Sequence, residues 1–405
     1  MQIGLISQWY EPEPATVPSV LADQLGKRGH SVKVVTGFPN YPEGRIYPGY
    51  RLAWRLDSKV SGVPVRRVAL FPSHGHSAIG RLANYGSFAA TASLWGYSFL
   101  KGIDGLWVYN SPPTVGLPTW VTKARYRPRV VLHIMDLWPE SLTASGFGSM
   151  LKWTWLKRVL DQWLQRTYEH ADSIACTSRK QIDLLMRRGV PRAKLSYVPL
   201  WVDEKLFHPV ETDLRLAADL GVRGKIVLLY AGAIGEPQGL DTLIEVCGRL
   251  TDEPAFHCLI AGSGAAALRL RARAEEMRLT NLSFLGRWPI TDITRLMSVG
   301  DVHFVSLRAD PLAEIAMPSK VPATLASGRP IIVAARGEAA DVVSRSGAGW
   351  ACAPGDQDGL EAAIRAALSA GARRLREMGG QARRAYEAEF AVASGIDRVE
   401  RLLAG

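Results

Sequence analysis

Glycine-bearing segments that follow apolar runs are the first feature of the sequence that suggests chemistry. Residues 230–239 (YAGAIGEPQG) contain three glycines after one such run, and residues 261–264 and 286–289 repeat the arrangement. Glycine lets the backbone approach a ligand closely, and a helix that begins after such a loop offers free N–H groups to a phosphate. One such loop is also an ordinary turn, but three in one half of the chain predict a nucleotide or diphosphate site.

Residues 310–320 (DPLAEIAMPSK) add charged side chains just before a predicted helix. Lys320 could neutralise a departing phosphate as a point charge, and Glu314 could accept hydrogen bonds from sugar hydroxyls. A helix cap with surface charges would give the same pattern, so both interpretations stay open at this segment.

The first half of the chain has its own polar cluster after an apolar run. His133, Asp136 and Glu140 fall within eight residues, together with a tryptophan. A lone histidine is usually a satisfied core or surface group, whereas a histidine with two carboxylates at the end of a strand favours a ligand-binding position. Residues 9–16 follow the first apolar run and are expected at the same edge of the sheet.

The sequence gives no sign of a metal site. Asp356 and Asp358 match a DxD pattern, but they follow Pro354-Gly355 and precede a helix, so we predict an acidic helix cap. No histidine or cysteine spacing is typical of metal ligands. The four cysteines lie far apart without a CxxC pair, which excludes a disulfide framework and favours a reducing cytoplasm.

The elements that must position these residues alternate between apolar runs and helical stretches. This alternation predicts two doubly wound α/β halves, each with a parallel sheet covered on both faces. The predicted strands are residues 3–7, 31–36, 105–109, 130–134 and 173–177 in the first half, and 225–230, 256–261, 282–285, 302–305 and 330–333 in the second. Two such halves would place the carboxyl ends of both sheets around a central cleft.

A break in the alternation predicts the domain boundary. Residues 196–209 contain two prolines and no periodicity, which places the boundary near residues 200–210. We predict Rossmann-like domains at residues 1–200 and 201–385. A C-terminal helix at residues 386–405 is expected to pack back on the first domain.

Composition limits the function classes. The 405 residues are 47% hydrophobic and 21% charged, which excludes a disordered or fibrous protein. The net charge of +11 favours an anionic partner such as a phosphorylated substrate or an acidic membrane surface. The charge is dispersed and no nucleic-acid-binding motif is present, so nucleic acid is not an expected partner. Residues 1–10 do not resemble a secretory signal.

Residues 77–100 come closest to a membrane-associated segment. Arg81, Asn84 and three glycines interrupt the apolar sequence, so a spanning helix is not expected. The segment fits either a helix packed within a globular domain or a helix at a membrane surface. The interfacial interpretation rests on the aromatic residues Tyr85, Phe88, Trp95, Tyr97 and Phe99. The basic, tryptophan-rich residues 152–158 leave the same two interpretations open.

Longer motifs resemble family 4 of the glycosyltransferases over nearly the full length of the chain. In the first half they are residues 37–42 (GFPNYP), 46–50 (IYPGY) and 110–113 (NSPP), and His133 with residues 136–141 (DLWPES). In the second half they are residues 230–232 (YAG), 238–239 (QG), 318–320 (PSK) and 337–340 (GEAA). Within that family the sequence looks like the bacterial branch of O-antigen N-acetyl-L-fucosaminyltransferases and colanic-acid transferases.

The resemblance implies the GT-B fold and a retaining, metal-independent transfer from a nucleotide-diphosphate sugar. A UDP-sugar would be the co-substrate, and no further cofactor is expected. The second domain would hold this donor. The first would hold an acceptor that is a glycan, a polyprenyl-diphosphate-linked sugar or a secondary metabolite. Such an enzyme would work in the cytoplasm, peripherally on the inner face of the cell membrane.

The resemblance also implies roles for individual residues. The catalytic group would be His133, Asp136, Glu314 and Lys320. Donor binding would involve Gly232, Ala233, Ile234, Gly235, Gln238, Gly262, Gly264, Gly286, Arg287, Met317, Pro318, Ser319 and Glu338. Acceptor binding would involve Tyr10, Pro14, Ala15, Thr16, Tyr41 and Glu140.

Several positions depart from the family pattern. The second glutamate, usually a ribose ligand, falls at Ala323, and Glu338 is the candidate to replace it. The linker asparagine falls at Leu200, and Gln238 stands where lysine is usual, near the negative charge of Glu236. These changes leave an unusual donor, weaker nucleotide binding or loss of catalysis open. A sugar-nucleotide 2-epimerase and a non-catalytic GT-B partner protein are therefore the alternatives to a transferase.

Overall fold

The computed structural model describes residues 1–74, 77–140 and 154–405. The chain divides into two compact units, one containing Met1–Pro199 and Ala393–Gly405 and the other containing Leu200–Val392. Of the segments selected in the sequence, Ser141 and the start of residues 152–158 lie outside the described residues. None of the described helices is long and apolar enough to cross a bilayer.

The first unit is built on one eight-stranded sheet. Its strands are β1 (Gln2–Ile6), β2 (Ser31–Gly37), β3 (Arg55–Val60), β4 (Val63–Val68), β5 (Gly105–Asn110), β6 (Arg129–Ile134), β7 (Ser173–Cys176) and β8 (Leu195–Tyr197). Its helices are α1 (Thr16–Lys27), α2 (Ala78–Thr91), α3 (Gly116–Tyr126), α4 (Thr154–His170) and α5 (Arg179–Arg187). The strand order is β3-β4-β2-β1-β5-β6-β7-β8, parallel except between β3 and β4. The order reverses between β1 and β5, where open α/β sheets bind ligands.

The hairpin of β3 and β4 was not among the predicted strands. Every residue of β3 is exposed or half-buried, so its sequence shows no apolar alternation. Ser61 and Gly62 join the two strands with φ values of 50° and 84°, the left-handed conformation that a tight two-residue hairpin requires. The hairpin therefore depends on its turn and on the buried side chains of β4 rather than on a pattern in β3.

The second unit contains a six-stranded, fully parallel sheet. Its strands are β9 (Ile226–Ala231), β10 (Phe256–Ala261), β11 (Leu282–Gly286), β12 (Val302–Ser306), β13 (Ile331–Ala334) and β14 (Gly349–Cys352). Its helices are α6 (Leu214–Asp219), α7 (Asp241–Arg249), α8 (Ala267–Glu276), α9 (Ile293–Val299), α10 (Lys320–Ala326), α11 (Glu338–Ser346) and α12 (Gln357–Glu389). The strand order β11-β10-β9-β12-β13-β14 reverses between β9 and β12. Buried Val, Ile and Leu residues of the strands and helices form its core.

The last helix, α13 (Val392–Ala404), packs on the first unit. Arg28 lies 2.5 Å from Asp397, and His30 lies 2.8 Å from Glu400. The side chain of Leu403 packs against Gly105, at the amino end of β5.

Candidate functional site

The reversal between β9 and β12 brings a glycine and a lysine together in the second unit. Gly232 follows β9, and Lys320 begins α10 after the loop that leaves β12. Gly232 has a φ of 144°, and a Cβ atom at this position would collide with Cε of Lys320. The lysine side chain therefore lies directly on the glycine backbone, and a residue with a side chain would displace it.

The ammonium group of Lys320 is positively charged and lies against an aromatic ring. It lies 5.2 Å from the centre of the Tyr230 ring, within range of a cation–π contact. No carboxylate in the described part of the chain forms an ion pair with it. Burial lowers the pKa of Lys320 to about 8. A desolvated, unpaired cation of this kind is stabilised when an anion binds next to it.

The three glycine loops predicted from the sequence meet at this edge. The N–H of Gly232 donates to the carbonyl of Ala261 at 2.9 Å, and the N–H of Gly262 donates to the carbonyl of Gly286 at 2.7 Å. A Cβ atom at Gly262 would collide with the carbonyl oxygen of Gly232. The close backbone packing of these loops therefore depends on glycine.

Most backbone N–H groups of the loop after β9 are already bonded within the unit. Ile234 donates to the carbonyl of Ser263 at 2.9 Å, and Gly235 donates to the side chain of Gln238 at 3.0 Å. Ala233 is exposed, and its N–H has no acceptor among the described residues. The loop thus offers a phosphate fewer donors than its glycine content suggests, which leaves more of the charge compensation to the lysine.

An arginine pair surrounds the negative charge in this loop. Glu236 lies 3.1 Å from Arg269 and 3.6 Å from Arg308. The N–H of Arg308 also donates to the carbonyl of Pro237 at 2.8 Å, which fixes the arginine beside the loop. Sequence reasoning missed Arg308, although its position just beyond a predicted strand of the same sheet was a usable signal.

The loops after β12 and β13 meet at Glu314. Its carbonyl accepts a hydrogen bond from the N–H of Glu338 at 3.2 Å, while its side chain is exposed. Glu338 is buried at the start of α11, and Ala323 is buried in α10, where it supplies no carboxylate. Of the remaining predicted donor residues, Gly264 packs on the backbone of Ile234, Arg287 and Ser319 are exposed, Met317 is buried and Pro318 is half-buried.

In the first unit, Asp136 lies at the carboxyl edge of the sheet beside the loop after β5. Its carboxylate accepts a hydrogen bond from the hydroxyl of Ser111. The side chain has exposed surface, yet the protein around it raises the pKa of the carboxyl by desolvation, against the effect of this hydrogen bond. Burial raises the pKa of Tyr41, Tyr85 and Tyr109, and the charge of Asp136 contributes in the same direction. Asp136 is therefore surrounded by phenol groups.

Aromatic rings form a cluster next to these tyrosines. The ring of Trp9 lies 5.6 Å from that of Tyr41 and 6.4 Å from that of Tyr85. The rings of Tyr41 and His74 pack edge to face at 4.5 Å. All four side chains are half-buried, so they present ring surface at this edge of the unit.

A buried carboxylate that sequence reasoning missed connects the loops after β1 and β2. Glu13 accepts hydrogen bonds from the N–H groups of Asn40 and Tyr41 at 2.8 Å and of Tyr10 at 3.3 Å. Burial raises its pKa to about 7, against these hydrogen bonds and the charge of Arg67. Of the predicted acceptor residues on this loop, Tyr10 is buried, Ala15 is half-buried, and Pro14 and Thr16 are exposed.

The predicted residues His133, Asp136 and Glu140 have different surroundings rather than forming one cluster. His133 is fully buried, with its ring near the carbonyl of Val198, and burial lowers its pKa to about 3. Glu140 forms an ion pair with Arg188, the residue after α5. Asp136 lies beyond the end of β6, where its carboxylate accepts the hydrogen bond from Ser111.

The DxD-like segment is a helix cap, as predicted. The side chain of Asp356 accepts a hydrogen bond from the N–H of Gly359 at 2.9 Å, at the start of α12. Within the described ranges, no group of three or more His, Cys, Asp or Glu residues is placed to hold a metal ion. Independence of metal remains a prediction from the resemblance.

Comparison with protein families identifies both units. Residues 14–201 match the model of a glycosyl transferase 4-like domain, and residues 217–385 match that of the glycosyl transferases group 1. Together the two models include most of the chain. The chain belongs to the glycosyltransferases.

A curated relative supports the same family. The glycosyltransferase is 27% identical over 326 residues to the putative colanic acid biosynthesis glycosyl transferase WcaI of Escherichia coli K12. The alignment covers 78% of each chain. This agrees with the resemblance to family 4 that the motifs of the sequence predict.

Solved structures show the fold. HepE of Anabaena, in complex with UDP, superposes on the glycosyltransferase with a TM-score of 0.73 at 15% identity and covers 100% of both chains. The sucrose-phosphate synthase of Thermosynechococcus elongatus gives a TM-score of 0.75 at 19% identity and covers 99% of this chain and 98% of that chain. The predicted GT-B fold with two parallel-sheet α/β domains is thereby confirmed.

Proposed function

We propose that the chain transfers a sugar from a UDP-sugar to an acceptor hydroxyl, with retention of the anomeric configuration and without a metal ion or other cofactor. The observation that carries this proposal is the ammonium of Lys320, which lies on the backbone of Gly232 at the strand-order reversal without a described carboxylate partner. A diphosphate supplies the negative charge that this position lacks. The solved complex of the similar HepE contains UDP, which supports the choice of nucleotide.

The proposed reaction needs no protein nucleophile. The bond between the sugar C1 and the diphosphate oxygen breaks, and the acceptor oxygen bonds to C1 on the same face. The acceptor proton passes to the departing diphosphate. Lys320 stabilises the charge that develops on this leaving group, and Glu314 accepts hydrogen bonds from the sugar hydroxyls.

The acceptor is proposed to bind at the carboxyl edge of the sheet in the first unit. Asp136 offers a hydrogen-bond acceptor there, and the rings of Trp9 and Tyr41 offer flat apolar surface for a sugar ring. The similarity to a colanic acid biosynthesis enzyme supports a glycan as the acceptor. We propose that this glycan is carried on a polyprenyl diphosphate. Such a lipid-linked acceptor would place the chain on the cytoplasmic face of the membrane, where its net charge of +11 favours anionic lipid.

A thermal-shift screen of nucleotide sugars, followed by transfer assays, tests the proposal. The true donor should stabilise the chain because it binds only the folded state. Transfer of labelled sugar to a polyprenyl-diphosphate-linked acceptor, with the donor's anomeric configuration in the product by NMR, is the expected result. Conversion of a UDP-sugar in the absence of acceptor would instead indicate an epimerase. Stabilisation by no nucleotide sugar would contradict the proposal.

A further inference from the structure

The exposed side of α2 is apolar along its whole length. The chain continues from this helix through a π-helical turn (Ala92–Gly96) and a 3₁₀ turn (Tyr97–Leu100). The residues exposed along the helix and the π turn, apart from Ser77 at the cap, are Ile79, Leu82, Ala83, Gly86, Ala90 and Leu94. Their spacing of three and four residues places them on one side of the helix. A surface helix of a globular protein normally presents polar residues on this side.

Large side chains dominate this exposed stripe. The exposed fractions are 82% for Ile79, 53% for Leu82 and 62% for Leu94. Trp54 is 68% exposed, and its ring lies 5.1 Å from that of Trp95 in the π turn. Single exposed apolar residues need no explanation, whereas a continuous group of them marks a binding surface.

A further exposed aromatic residue contacts α2 from the segment that follows β4. Phe71 is exposed, and its N–H donates to the hydroxyl of Ser87 on α2 at 2.8 Å. The α2 face is therefore defined by Ile79, Leu82, Leu94, Trp54 and Phe71. All of these residues belong to the first unit.

The chain segment that contains most of the α2 face carries more positive than negative charge. Between Asp57 and Asp104 the sequence contains five lysine or arginine residues and no aspartate or glutamate. Asp57 itself forms an ion pair with Arg66 at 2.6 Å. Arg67 is buried and Arg66 is paired with Asp57, whereas Lys59 and Lys101 are exposed and Arg81 is half-buried. These last three cations would attract an anionic surface.

Cations also lie on the strand face beside the tryptophans. Arg55, Asp57 and Lys59 occupy every second position of β3, so their side chains leave the strand on the same face. Arg66, the partner of Asp57, donates to the carbonyl of Trp95 at 3.0 Å, which identifies this as the face next to the π turn. The α2 face thus combines apolar side chains with neighbouring positive charge.

We propose that the α2 face binds an anionic lipid bilayer. An amphipathic helix of this kind lies in the plane of the interface, with Leu, Ile and Trp inserted below the headgroups and basic residues beside the anionic lipids. Tryptophan is favoured at this depth because its ring is apolar and its N–H is polar. The proposal does not depend on the transferase reaction.

The structure assigns this role to different residues from those that the sequence suggested. Phe88 is fully buried, and Tyr85 and Tyr97 are half-buried, so they present little surface to lipid. The aliphatic residues Ile79 and Leu94 are exposed in their place.

Vesicle co-sedimentation of the full chain tests the proposal. We expect binding to vesicles of phosphatidylcholine with phosphatidylglycerol and much weaker binding to phosphatidylcholine alone. The double variant Ile79→Asp, Leu94→Asp should bind the mixed vesicles at least about tenfold more weakly, because affinity scales with the inserted apolar area. Leu268→Asp is the matched control, since Leu268 is 84% exposed on α8 of the second unit and should be dispensable.

Two further measurements distinguish a lipid bilayer on the α2 face from a second copy of the chain. Lipids brominated in their acyl chains should quench tryptophan fluorescence, and Trp54→Phe should reduce this quenching. Light scattering should find the wild type and the double variant to have the same mass. The proposal would be overturned if the wild type did not bind vesicles, or bound them equally with and without phosphatidylglycerol. It would also be overturned if Leu268→Asp lost as much binding as the double variant, or if Trp54→Phe were quenched as strongly as the wild type. A dimer that the double variant dissociates would also overturn it, because a second copy would then cover the face.

Discussion

The side chain of Lys320 rests on the backbone of Gly232, so the first residue of α10 and the first residue after β9 occupy one site. These two positions are far apart in the sequence, and the strand-order reversal between β9 and β12 brings them together. The contact places a desolvated ammonium beside exposed backbone. In a glycosyltransferase, this is a position where a diphosphate leaving group can be held and neutralised.

Gly232→Ala should abolish donor binding while leaving the chain folded. The new Cβ would collide with Cε of Lys320 and force the ammonium away from the loop. Isothermal titration with UDP measures the loss. Gly224→Ala is the matched control, because Gly224 also has a positive φ but no atom within 4 Å of its Cβ position. Equal UDP affinity in Gly232→Ala and the control would show that the contact is irrelevant to the donor.

Lys320→Ala should reduce transfer by roughly 100- to 1,000-fold, the usual cost of removing one group that stabilises transition-state charge. Folding should be unaffected or improved, because burial of the ammonium lowers its pKa from 10.5 to about 8 and so makes the charged form costly. Between pH 10.5 and about pH 8 the unfolded chain binds more protons than the folded one. The free energy of unfolding of the wild type should therefore rise with pH over this range. This rise should be absent in the variant.

The pKa of Lys320 also predicts how donor binding depends on pH. UDP affinity should fall as the pH rises through about 8, because the ammonium loses its proton in the free protein. Lys320→Ala should show weak and flat affinity over the same range. A falling affinity in the variant as well would assign the titration to another group.

Glu236→Gln should strengthen UDP binding by roughly two- to fivefold, since exposed ion pairs contribute little. The change frees Arg308 from Glu236, while Arg269 keeps its ion pair with Asp241. Glu245→Gln is the control, because it removes a similar ion pair away from the loop, that between Glu245 on α7 and Arg273 on α8. Weaker binding in Glu236→Gln would indicate that the carboxylate itself contacts the donor.

Glu13 should make the first unit less stable as the pH rises. Its pKa is about 7 in the folded chain against 4.5 for an ordinary glutamate, so its contribution is complete below 4.5 and lost by about pH 7. The loss amounts to at most about 3 kcal/mol. In Glu13→Gln the melting temperature should lack this dependence, whereas Glu43→Gln, an exposed carboxylate of a neighbouring loop, should behave as the wild type. An unchanged pH profile in Glu13→Gln would refute the assignment.

The parallel strands could be predicted closely because each is a continuous apolar run. All ten predicted strands are present, and each end lies within one residue of the observed one. The four strands that were missed lack such a run: β3 and β14 contain no buried residue, β8 has three residues, and β4 contains a proline and two arginines. Their pairing depends on neighbouring strands rather than on their own sequence.

The meeting of the glycine loops with Lys320 followed from one rule, that the carboxyl ends of parallel strands share an edge. Contacts between separate loops could not be predicted from the sequence. The partner of Glu236, the anchoring role of Glu13 and the burial of His133 each depend on a chain segment at least 27 residues away. The assignment of individual residues to donor and acceptor remains a prediction.

Hydrogen exchange in the presence and absence of UDP tests the central claim most directly. The account predicts that UDP slows exchange most in residues 232–240 and 314–321, and that Lys320→Ala removes this protection. Protection centred on any other segment, or unchanged protection in the variant, would contradict the placement of the diphosphate on Gly232 and Lys320.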